Sequence, residues 1–300
     1  MSKSMKDIKE LRERTGAGVL DCKKALDETD GDIEAAIDFL REKGMSEAAK
    51  KSGRVAAEGI VDVLINEKRD KGIIVEVNSE TDFVAKNERF QDLVSSISEH
   101  IMLSNAENLE QLNAEKWFKD ESKTVETIIK EAIAGIGENI NLRRYEKIET
   151  DGFLYGYIHL NGKIGVLAEF EGEKTEEALN TAKNISMHIA ASNPEFLSRE
   201  DVDEEVVEKE KAIIKEQLKN EGKPDHILDQ IVEGKINKFY TQICLLEQEY
   251  IRDTDLQVQD VLDESDVAVK QFVRYELGEG IEKKQEDFAE EVMAEVNKNE

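Results

Sequence analysis

An acid and a large aromatic ring, Asp82 and Phe83, stand in the run 81–87 (TDFVAKN), at a predicted strand-to-helix turn. The strand-like segment 72–77 precedes this run, and an amphipathic segment begins at Phe90 after it. Short polar segments that a rigid scaffold presents often carry binding residues. If the Phe83 ring is exposed, its chemistry is noncovalent, because the ring can fill a pocket on another molecule.

Phe83 also has a second interpretation. Phe83 and Phe90 are seven residues apart, so one unbroken helix would place both rings on the same face. Large apolar residues at helical spacing usually pack inward. The pattern alone therefore leaves open whether Phe83 is a binding residue or a core residue.

The sequence contains no recognisable motif for covalent catalysis or for nucleotide binding. There is no GxxxxGK[ST] phosphate loop, and neither 15–18 nor 135–137 follows a strand as a dinucleotide site requires. The four histidines lack ligand spacing for a metal, and no Ser or Cys nucleophile signature is present. We therefore expect a protein without enzyme activity, cofactor or metal site. A metal-dependent hydrolase that uses clustered carboxylates is an alternative.

The distribution of charge indicates a protein partner. The net charge is -27, with 41 Lys+Arg and 68 Asp+Glu. Residues 1–54 contain 12 of each kind, so the remaining 246 residues, with 29 basic and 56 acidic side chains, carry the whole excess. A phosphate backbone would repel this larger part, so we expect no direct binding of nucleic acid.

The cysteines and the apolar segments indicate a reducing compartment. Cys22 and Cys244 lie far apart and share no CxxC spacing, which argues against a disulfide framework. No apolar stretch is long enough to span a bilayer, and the first residues lack a secretory signal. We expect a cytoplasmic protein that does not contact a membrane.

The first 54 residues predict three short helices and a basic linker. The first helix stops at Thr15-Gly16, and Asp30-Gly31-Asp32 leads into the third. We expect the third helix to end at Gly44, with the basic segment 43–54 after it. A solvated helix face is the alternative for that basic segment.

The following 140 residues or so contain the same pattern twice, which predicts a duplicated core. Each copy reads as a β-hairpin followed by a helix, and His100 and His188 occupy equivalent helix positions, which favours a structural role for both. The second copy is five residues shorter, and the shortfall falls at the TDFVAKN run. The matching segments are 59–65 with 152–158 and 72–77 with 165–170 at an offset of 93, and 97–101 with 185–189 at an offset of 88.

Apolar residues at helical spacing on both sides of the turn 221–225 predict an inserted antiparallel helical hairpin. An amphipathic helix carrying Phe288, Val292 and Val296 is predicted at the end of the chain. The fold class is therefore α+β, with helices on one face of the sheet. The predicted divisions are an N-terminal bundle and linker 1–54, a first core half 55–145, a second core half 146–197 with 251–277, a hairpin 198–250 and a C-terminal helical module 278–300.

Several separate segments resemble the bacterial translation elongation factor Ts family, the guanine-nucleotide exchange factors of elongation factor Tu. One departure is Asn161, which stands where the family commonly has a second glycine. The segments that carry the resemblance are 11–18, 21–26, 76–87, 137–144, 162–167, 193–196 and 278–283.

The resemblance implies a ubiquitin-associated-like N-terminal bundle, a coiled-coil hairpin and an exchange function. The TDFVAKN segment would enter the nucleotide-binding domain of elongation factor Tu, where Asp82 and Phe83 would disturb the region that holds Mg²⁺ and the phosphate loop. The last helix would hold another face of that domain. The residues that the resemblance assigns to partner binding are Thr81, Asp82, Phe83, Val84, Lys86 and Asn87, then Val19, Leu20 and Lys23 in the bundle, and His159 in the second core half.

A second functional interpretation treats the chain as a coiled-coil scaffold or adaptor that uses the hairpin and the acidic surface. In that case the hairpin is the main binding element, whereas an exchange factor would keep its activity without it. Dimerisation through the hairpin is left open by the sequence.

Overall fold

The computed structural model describes residues 5–282. The predicted C-terminal helix, with Phe288, Val292 and Val296, lies outside these residues. The described chain has an α+β fold and divides into two compact units, one of residues 5–60, 76–144 and 277–282 and the other of residues 61–75 and 145–276. The division into five segments stays a prediction.

The elements follow one another in two series with a similar order. The first series is α1 Met5–Thr15, α2 Val19–Glu28, α3 Ile33–Lys51, β1 Glu58–Ile65, β2 Lys71–Ser79, α4 Asp82–Ala85, α5 Glu88–Leu103, α6 Leu109–Ala114, β3 Lys116–Trp117, β4 Asp120–Thr124, α7 Val125–Ile136 and β5 Ile140–Glu149. The second series is β6 Phe153–His159, β7 Ile164–Glu171, α8 Glu176–Ser192, α9 Glu204–Asn220, α10 Asp225–Ile243, β8 Glu249–Tyr250, β9 Asp253–Gln257, α11 Val258–Glu264 and β10 Ala268–Glu276.

The first three helices enclose a small apolar core. The turn between α1 and α2 is at Gly16, and the Asp32 side chain caps α3 by accepting a hydrogen bond from the Ala35 N–H. The side chains that these helices bury against one another are Ile8, Leu11, Cys22, Ala25, Leu26 and Ala36.

The prediction that the third helix ends at Gly44 is wrong, because α3 continues to Lys51. Gly44 is buried, and a Cβ at this position would lie 2.8 Å from the Cβ of Ala134 in α7. The glycine therefore permits the close approach of two helices and does not cap one of them. Lys50 and Lys51 lie in the last turn of α3, where positive charge interacts favourably with the helix dipole.

Two three-stranded sheets share one order. The first is β1-β2-β5 and the second is β6-β7-β10, so in each sheet the second strand of a hairpin also pairs with a later strand. In the second sheet both pairings of β7 are antiparallel. Equivalent glycines begin both hairpins, because a Cβ at Gly59 would lie 2.2 Å from the Val77 oxygen and a Cβ at Gly152 would lie 2.2 Å from the Phe170 oxygen.

The repeated element order extends beyond the hairpin and helix that the sequence predicts. After the long helix, each copy has a two-stranded ladder, a helix and the third strand of its sheet. The ladders begin at Lys116 and Glu249, and the helices that follow begin at Val125 and Val258. The second copy differs by α9 and α10, which lie between its long helix and its ladder.

Histidines at equivalent positions of the long helices are buried beside these ladders. The His100 ring stacks on Trp117 with centroids 5.1 Å apart, and the His188 ring lies 6.0 Å from that of Tyr250. His188 Nδ1 accepts the Ile251 N–H (3.2 Å), so Nε2 donates to Gln248 Oε1 (2.9 Å). These contacts join each long helix to the start of its ladder.

Helices α9 and α10 pack on each other along an apolar seam, and the chain enters and leaves them at neighbouring points. A parallel bridge joins Phe196 and Cys244 at this base, and the Glu195 N–H donates to the Ile243 oxygen. The buried residues along the seam include Val207, Ile214, Leu218, Leu228, Val232 and Ile236. None of the helices within residues 5–282 combines the length and apolarity that crossing a membrane requires.

Candidate functional site

The one-turn helix α4 follows directly from strand β2. Thr81 has extended backbone (φ -126°, ψ 155°), and its side chain caps α4 by accepting a hydrogen bond from the Val84 N–H. Lys86 ends this helix, and Asn87 then caps α5 by accepting from the Arg89 N–H (2.9 Å). Thr81 therefore caps the start of α4, Lys86 stands at its end, and Asn87 caps the start of α5.

Phe83 projects from α4 and is 79% exposed, whereas Phe90 is fully buried. The interpretation of Phe83 as a core residue on one helix with Phe90 is wrong. The extended backbone of Asn87 (φ -77°, ψ 130°) separates α4 from α5, so the seven-residue spacing does not place the two rings on one face. An exposed ring of this size suits contact with another molecule.

The carboxylate of Glu138 grips the first residue of this turn. Its Oε1 accepts the Thr81 hydroxyl (2.7 Å), and its Oε2 accepts the Thr81 backbone N–H (2.9 Å). Glu138 follows Gly137, which ends α7 in the left-handed conformation (φ 94°). Both donors of Thr81 are thus satisfied by one side chain from another part of the same compact unit.

A reciprocal contact lies beside this grip. The Asn139 N–H donates to Glu80 Oε1 (2.6 Å), and Asn139 Nδ2 donates to the Arg54 oxygen (2.8 Å). The Arg54 guanidinium pairs with the Glu80 carboxylate at 3.4 Å. Residues 80–81 and 138–139 therefore hold each other through two carboxylates, one from each segment.

Below the turn, strand β2 carries a fully buried carboxylate, Glu76. It accepts from Arg143 (2.9 and 3.1 Å), Arg144 (2.6 Å), Asn78 Nδ2 (3.0 Å) and the Gly278 N–H (2.8 Å). Burial by itself raises the pKa of Glu76, but these hydrogen bonds together outweigh burial and hold the pKa below 4.5. The charged network fixes the strand from which the turn emerges.

Asp82 and Lys86 form an ion pair on the outer face of α4. Lys86 Nζ lies 2.6 Å from Asp82 Oδ2 and 6.0 Å from the centre of the Phe83 ring. The Lys86 side chain is 73% exposed and that of Asp82 is 46% exposed, so water screens the pair and it contributes little to stability. The pair places an acid, a cation and an aromatic ring on one small surface.

The predicted binding residues of the N-terminal helices belong to the same compact unit as this turn. Val19 is 48% exposed and Leu20 is 82% exposed at the start of α2, and Lys23 is exposed one turn later. The turn before α2 contacts the start of α5, because Arg89 Nη1 donates to the Gly16 oxygen (3.2 Å). Two of the three predicted groups of binding residues therefore belong to one unit. In the TDFVAKN run Phe83, Lys86 and Asn87 are exposed, whereas Thr81, Asp82 and Val84 are half-buried.

His159 lies in the other compact unit, at the end of β6. Its Nδ1 forms a hydrogen bond with the Tyr157 hydroxyl (2.9 Å). In the turn that follows, Leu160 (φ 49°) and Asn161 (φ 54°) both have left-handed backbone, and Leu160 is 65% exposed. Asn161 thus adopts the conformation that glycine favours, which asparagine tolerates better than most residues.

Five side chains that support the turn were not among the predicted site residues. Part of the signal was present in the sequence, since the segment 137–144 contributes to the family resemblance, but the pattern gave its charged residues no role. Their importance depends on pairing between segments about 60 residues apart. These residues are Glu76, Glu80, Glu138, Arg143 and Arg144.

The fold and the presented turn define an α+β protein with a surface suited to contact another macromolecule. The family model for elongation factor Ts matches residues 80–279. The chain is 62% identical over 298 residues to elongation factor Ts of Halothermothrix orenii, which covers 99% of this chain and all of that protein. It is 50% identical to the elongation factor Ts proteins of Trichlorobacter lovleyi (96% of each chain) and Clostridium botulinum (98% of each chain).

The chain therefore belongs to the elongation factor Ts family, and the predicted family is confirmed. It is a translation elongation factor.

Proposed function

We propose that this chain is a guanine-nucleotide exchange factor that binds elongation factor Tu and promotes the release of GDP. The observation that carries this proposal is the Phe83 ring, which is 79% exposed on a one-turn helix whose start is held by Glu138. The family gives the translational context. We further propose that the protein works in the cytoplasm, without covalent chemistry and without direct contact to nucleic acid.

Burial of the exposed Phe83 ring in a partner would contribute favourable binding free energy. Burying a Phe side chain contributes about 1.5–3 kcal/mol, and this free energy is unused while Phe83 is exposed. Because hydrogen bonds fix the turn before the partner binds, little free energy is lost in ordering it. A pocket beside the partner's nucleotide would receive the ring.

Asp82 would act on the nucleotide through charge. A carboxylate placed near the diphosphate and its Mg²⁺ repels the phosphate groups and attracts the metal, and both effects weaken nucleotide binding. In the free protein Lys86 neutralises this carboxylate at 2.6 Å. The exposed position of the pair allows Lys86 to turn aside when Asp82 meets the partner.

The magnitudes require several contacts. An acceleration of GDP release of about 10⁴-fold through weakened binding corresponds to about 5.5 kcal/mol of preference for the nucleotide-free partner. Phe83 supplies only part of this, so we assign the rest to Val19, Leu20 and Lys23 and to the loop at His159. The coupling is reciprocal: a factor that weakens nucleotide binding is itself displaced by nucleotide, as a recycling exchange factor requires.

Three further segments have separate proposed roles. The bundle α1–α3 would be a ubiquitin-associated-like domain that holds the partner's nucleotide domain, and residues 278–300 would hold another face of it. We propose that the α9–α10 hairpin is a coiled coil that exchange does not need. Its use as a dimer contact is a secondary proposal.

The proposal is tested with elongation factor Tu loaded with fluorescent GDP. Addition of this protein with excess unlabelled GDP should accelerate the loss of fluorescence in proportion to its concentration until the rate saturates. An unchanged rate at saturating concentration would show that the chain is not an exchange factor for this GTPase. Bovine serum albumin at equal concentration is the control for unspecific effects.

A further inference from the structure

We propose that Glu138 is a positioning residue for nucleotide exchange, because its carboxylate fixes the start of the turn that presents Phe83. This inference rests on the proposed function. Glu138 lies on the segment after α7, and its two oxygens accept both donors of Thr81, at 2.7 and 2.9 Å.

The contact with Glu138 uses both hydrogen-bond donors of Thr81, its backbone N–H and its hydroxyl. Its hydroxyl has one proton, which it donates to Glu138, so the oxygen lone pairs are left to accept the Val84 N–H. The Thr81 N–H would lose its partner if the carboxylate were absent. Hydrogen bonds to charged groups are among the stronger ones in proteins, so this contact is a strong restraint on the direction in which α4 leaves the strand.

The opposite contact makes the restraint two-sided. The Asn139 N–H donates to Glu80 (2.6 Å), so each segment supplies one carboxylate and one backbone N–H to the other. A rotation of the turn about the end of β2 would have to break both contacts together. Phe83, two residues after Thr81, is therefore held in direction although its own ring is exposed.

Glu138 also relates the turn to the N-terminal helices. It follows α7, and α7 packs closely on α3, where Gly44 allows an approach that a Cβ 2.8 Å from Ala134 would prevent. Because α3 and α2 share an apolar core, the exposed start of α2 is coupled to α7 through packed side chains. The grip of Glu138 on Thr81 thus sets the position of the ring relative to the other proposed contacts on the same unit.

The test compares Glu138→Gln with Thr81→Val and Thr81→Ser. The amide in Glu138→Gln can accept only one of the two Thr81 donors, and Thr81→Val removes the hydroxyl at nearly constant shape. We expect the maximal rate of catalysed GDP release to fall about tenfold in both, with an apparent KM for the partner changed less than twofold, since the contacts of α2 persist. Thr81→Ser keeps the hydroxyl and should restore most of the rate.

A double-mutant cycle separates positioning from a merely structural role. In a Phe83→Ala background, Glu138→Gln should change the maximal rate less than twofold, because the ring that it positions is gone. Amide hydrogen exchange of the free protein should accelerate at least about tenfold at residues 81–84 in Glu138→Gln. Glu126→Gln, which weakens a 2.7 Å contact to Lys130 elsewhere on α7, is the control and should alter neither readout.

Two failures can be told apart. If Phe83→Ala slows release while Glu138→Gln does not, or if the two losses multiply independently, the positioning role is overturned and the proposed function stands. If Phe83→Ala releases GDP at the wild-type rate, the role of the ring fails, and if the wild-type protein itself does not accelerate release, the proposed function fails. Unaltered amide exchange at residues 81–84 in Glu138→Gln would overturn the structural premise of the inference.

Discussion

Arg144 and Glu76 form an ion pair within one compact unit, with Arg144 Nε 2.6 Å from Glu76 Oε2; the Glu76 side chain is fully buried and the Arg144 side chain is 29% exposed. Arg143 adds a second cation at 2.9 Å, and the Gly278 N–H donates to the same carboxylate at 2.8 Å. One buried acid therefore joins β2, β5 and the segment at 278. Because a single buried carboxylate joins these three segments, we expect the free energy of unfolding to depend strongly on its charge.

Replacement of Glu76 by Gln should destabilise the protein by about 3–5 kcal/mol at pH 7, because two cations then lose their buried partner. The pKa of Glu76 is lower in the folded state than its ordinary value of 4.5. Its contribution is therefore complete above about pH 4.5 and is lost as the pH falls through the folded pKa. Urea unfolding of wild type and variant between pH 7 and pH 3 measures the difference, which should shrink below pH 4.5.

The control for this prediction is Glu169→Gln, at the equivalent position of β7. Glu169 is half-buried and accepts from two neutral donors, Thr150 and Gln271, each at 2.6 Å. Its replacement should cost less than about 1.5 kcal/mol. Equal losses for the two variants would contradict the role given to the buried charge.

Substitution of Gly44 by Ala should destabilise the protein by about 1–3 kcal/mol, although alanine is the better helix former. The added Cβ would lie 2.8 Å from that of Ala134, and overpacking of this kind forces the helices apart. Gly234→Ala in α10, where a Cβ meets nothing within 4 Å, is the matched control and should stabilise by about 0.5–1 kcal/mol. Thermal unfolding compares the two, and stabilisation by both would show that α3 and α7 do not pack closely.

Stability should decrease as the pH falls below about 6.5, in part because of His188. Burial lowers the pKa of His188, and the hydrogen bond to Gln248 opposes burial only partly. Below pH 6.5 the unfolded chain takes up a proton that the folded chain does not, so the free energy of unfolding falls by at most about 1.4 kcal/mol per pH unit for this group.

The measurement is urea unfolding at pH 7.5 and pH 5.5 for wild type and His188→Gln. The variant should lose part of the pH dependence, whatever its stability at pH 7.5. His226→Gln, at an exposed position of α10, serves as the control and should keep the wild-type dependence. A His188→Gln variant with the full wild-type slope would contradict the assignment.

Removal of the α9–α10 hairpin should leave exchange largely intact. Its base is closed by the Phe196–Cys244 bridge and the contact of Glu195 with Ile243, so a short glycine-serine linker can replace residues 204–242 and leave both contacts in place. GDP release catalysed by the shortened protein should stay within about threefold of wild type, since the presented turn and α2 belong to the other compact unit. Loss of partner binding, with the rest folded by circular dichroism, would instead favour the scaffold or adaptor interpretation.

Much of the fold was predictable because hydrophobic periodicity and repeated spacing are local signals. The offset of 93 between the two hairpins and the break at 221–225 both correspond to observed element ends. The prediction that α3 ends at Gly44 is wrong because glycine both caps helices and permits close helix packing. Which of these roles Gly44 has depends on Ala134, 90 residues away in the sequence. The two-stranded ladders in the later part of the repeat are not predicted by the sequence, because their short strands have little hydrophobic pattern.

The candidate site was predictable only in its exposed part. The TDFVAKN run attracted attention by its residue types, but periodicity could not decide whether Phe83 pointed in or out, since that depends on the break at Asn87. The supporting roles of Glu76 and Glu138 could not be predicted from the sequence, because most acidic residues lie on solvated faces and these two carry no distinguishing pattern. The family resemblance, not the physical pattern, supplied Val19, Leu20 and His159, and their contacts with a partner stay proposals.

The most direct measurement is stopped-flow release of fluorescent GDP from elongation factor Tu with Phe83→Ala. Release should be slower by about 10-fold to 150-fold, the factor that corresponds to the 1.5–3 kcal/mol of one buried Phe, with an unchanged melting temperature. Leu103→Ala, which removes another large apolar side chain that is 66% exposed, is the control and should match wild type. Release by Phe83→Ala at the wild-type rate would contradict the central claim that this exposed ring drives exchange.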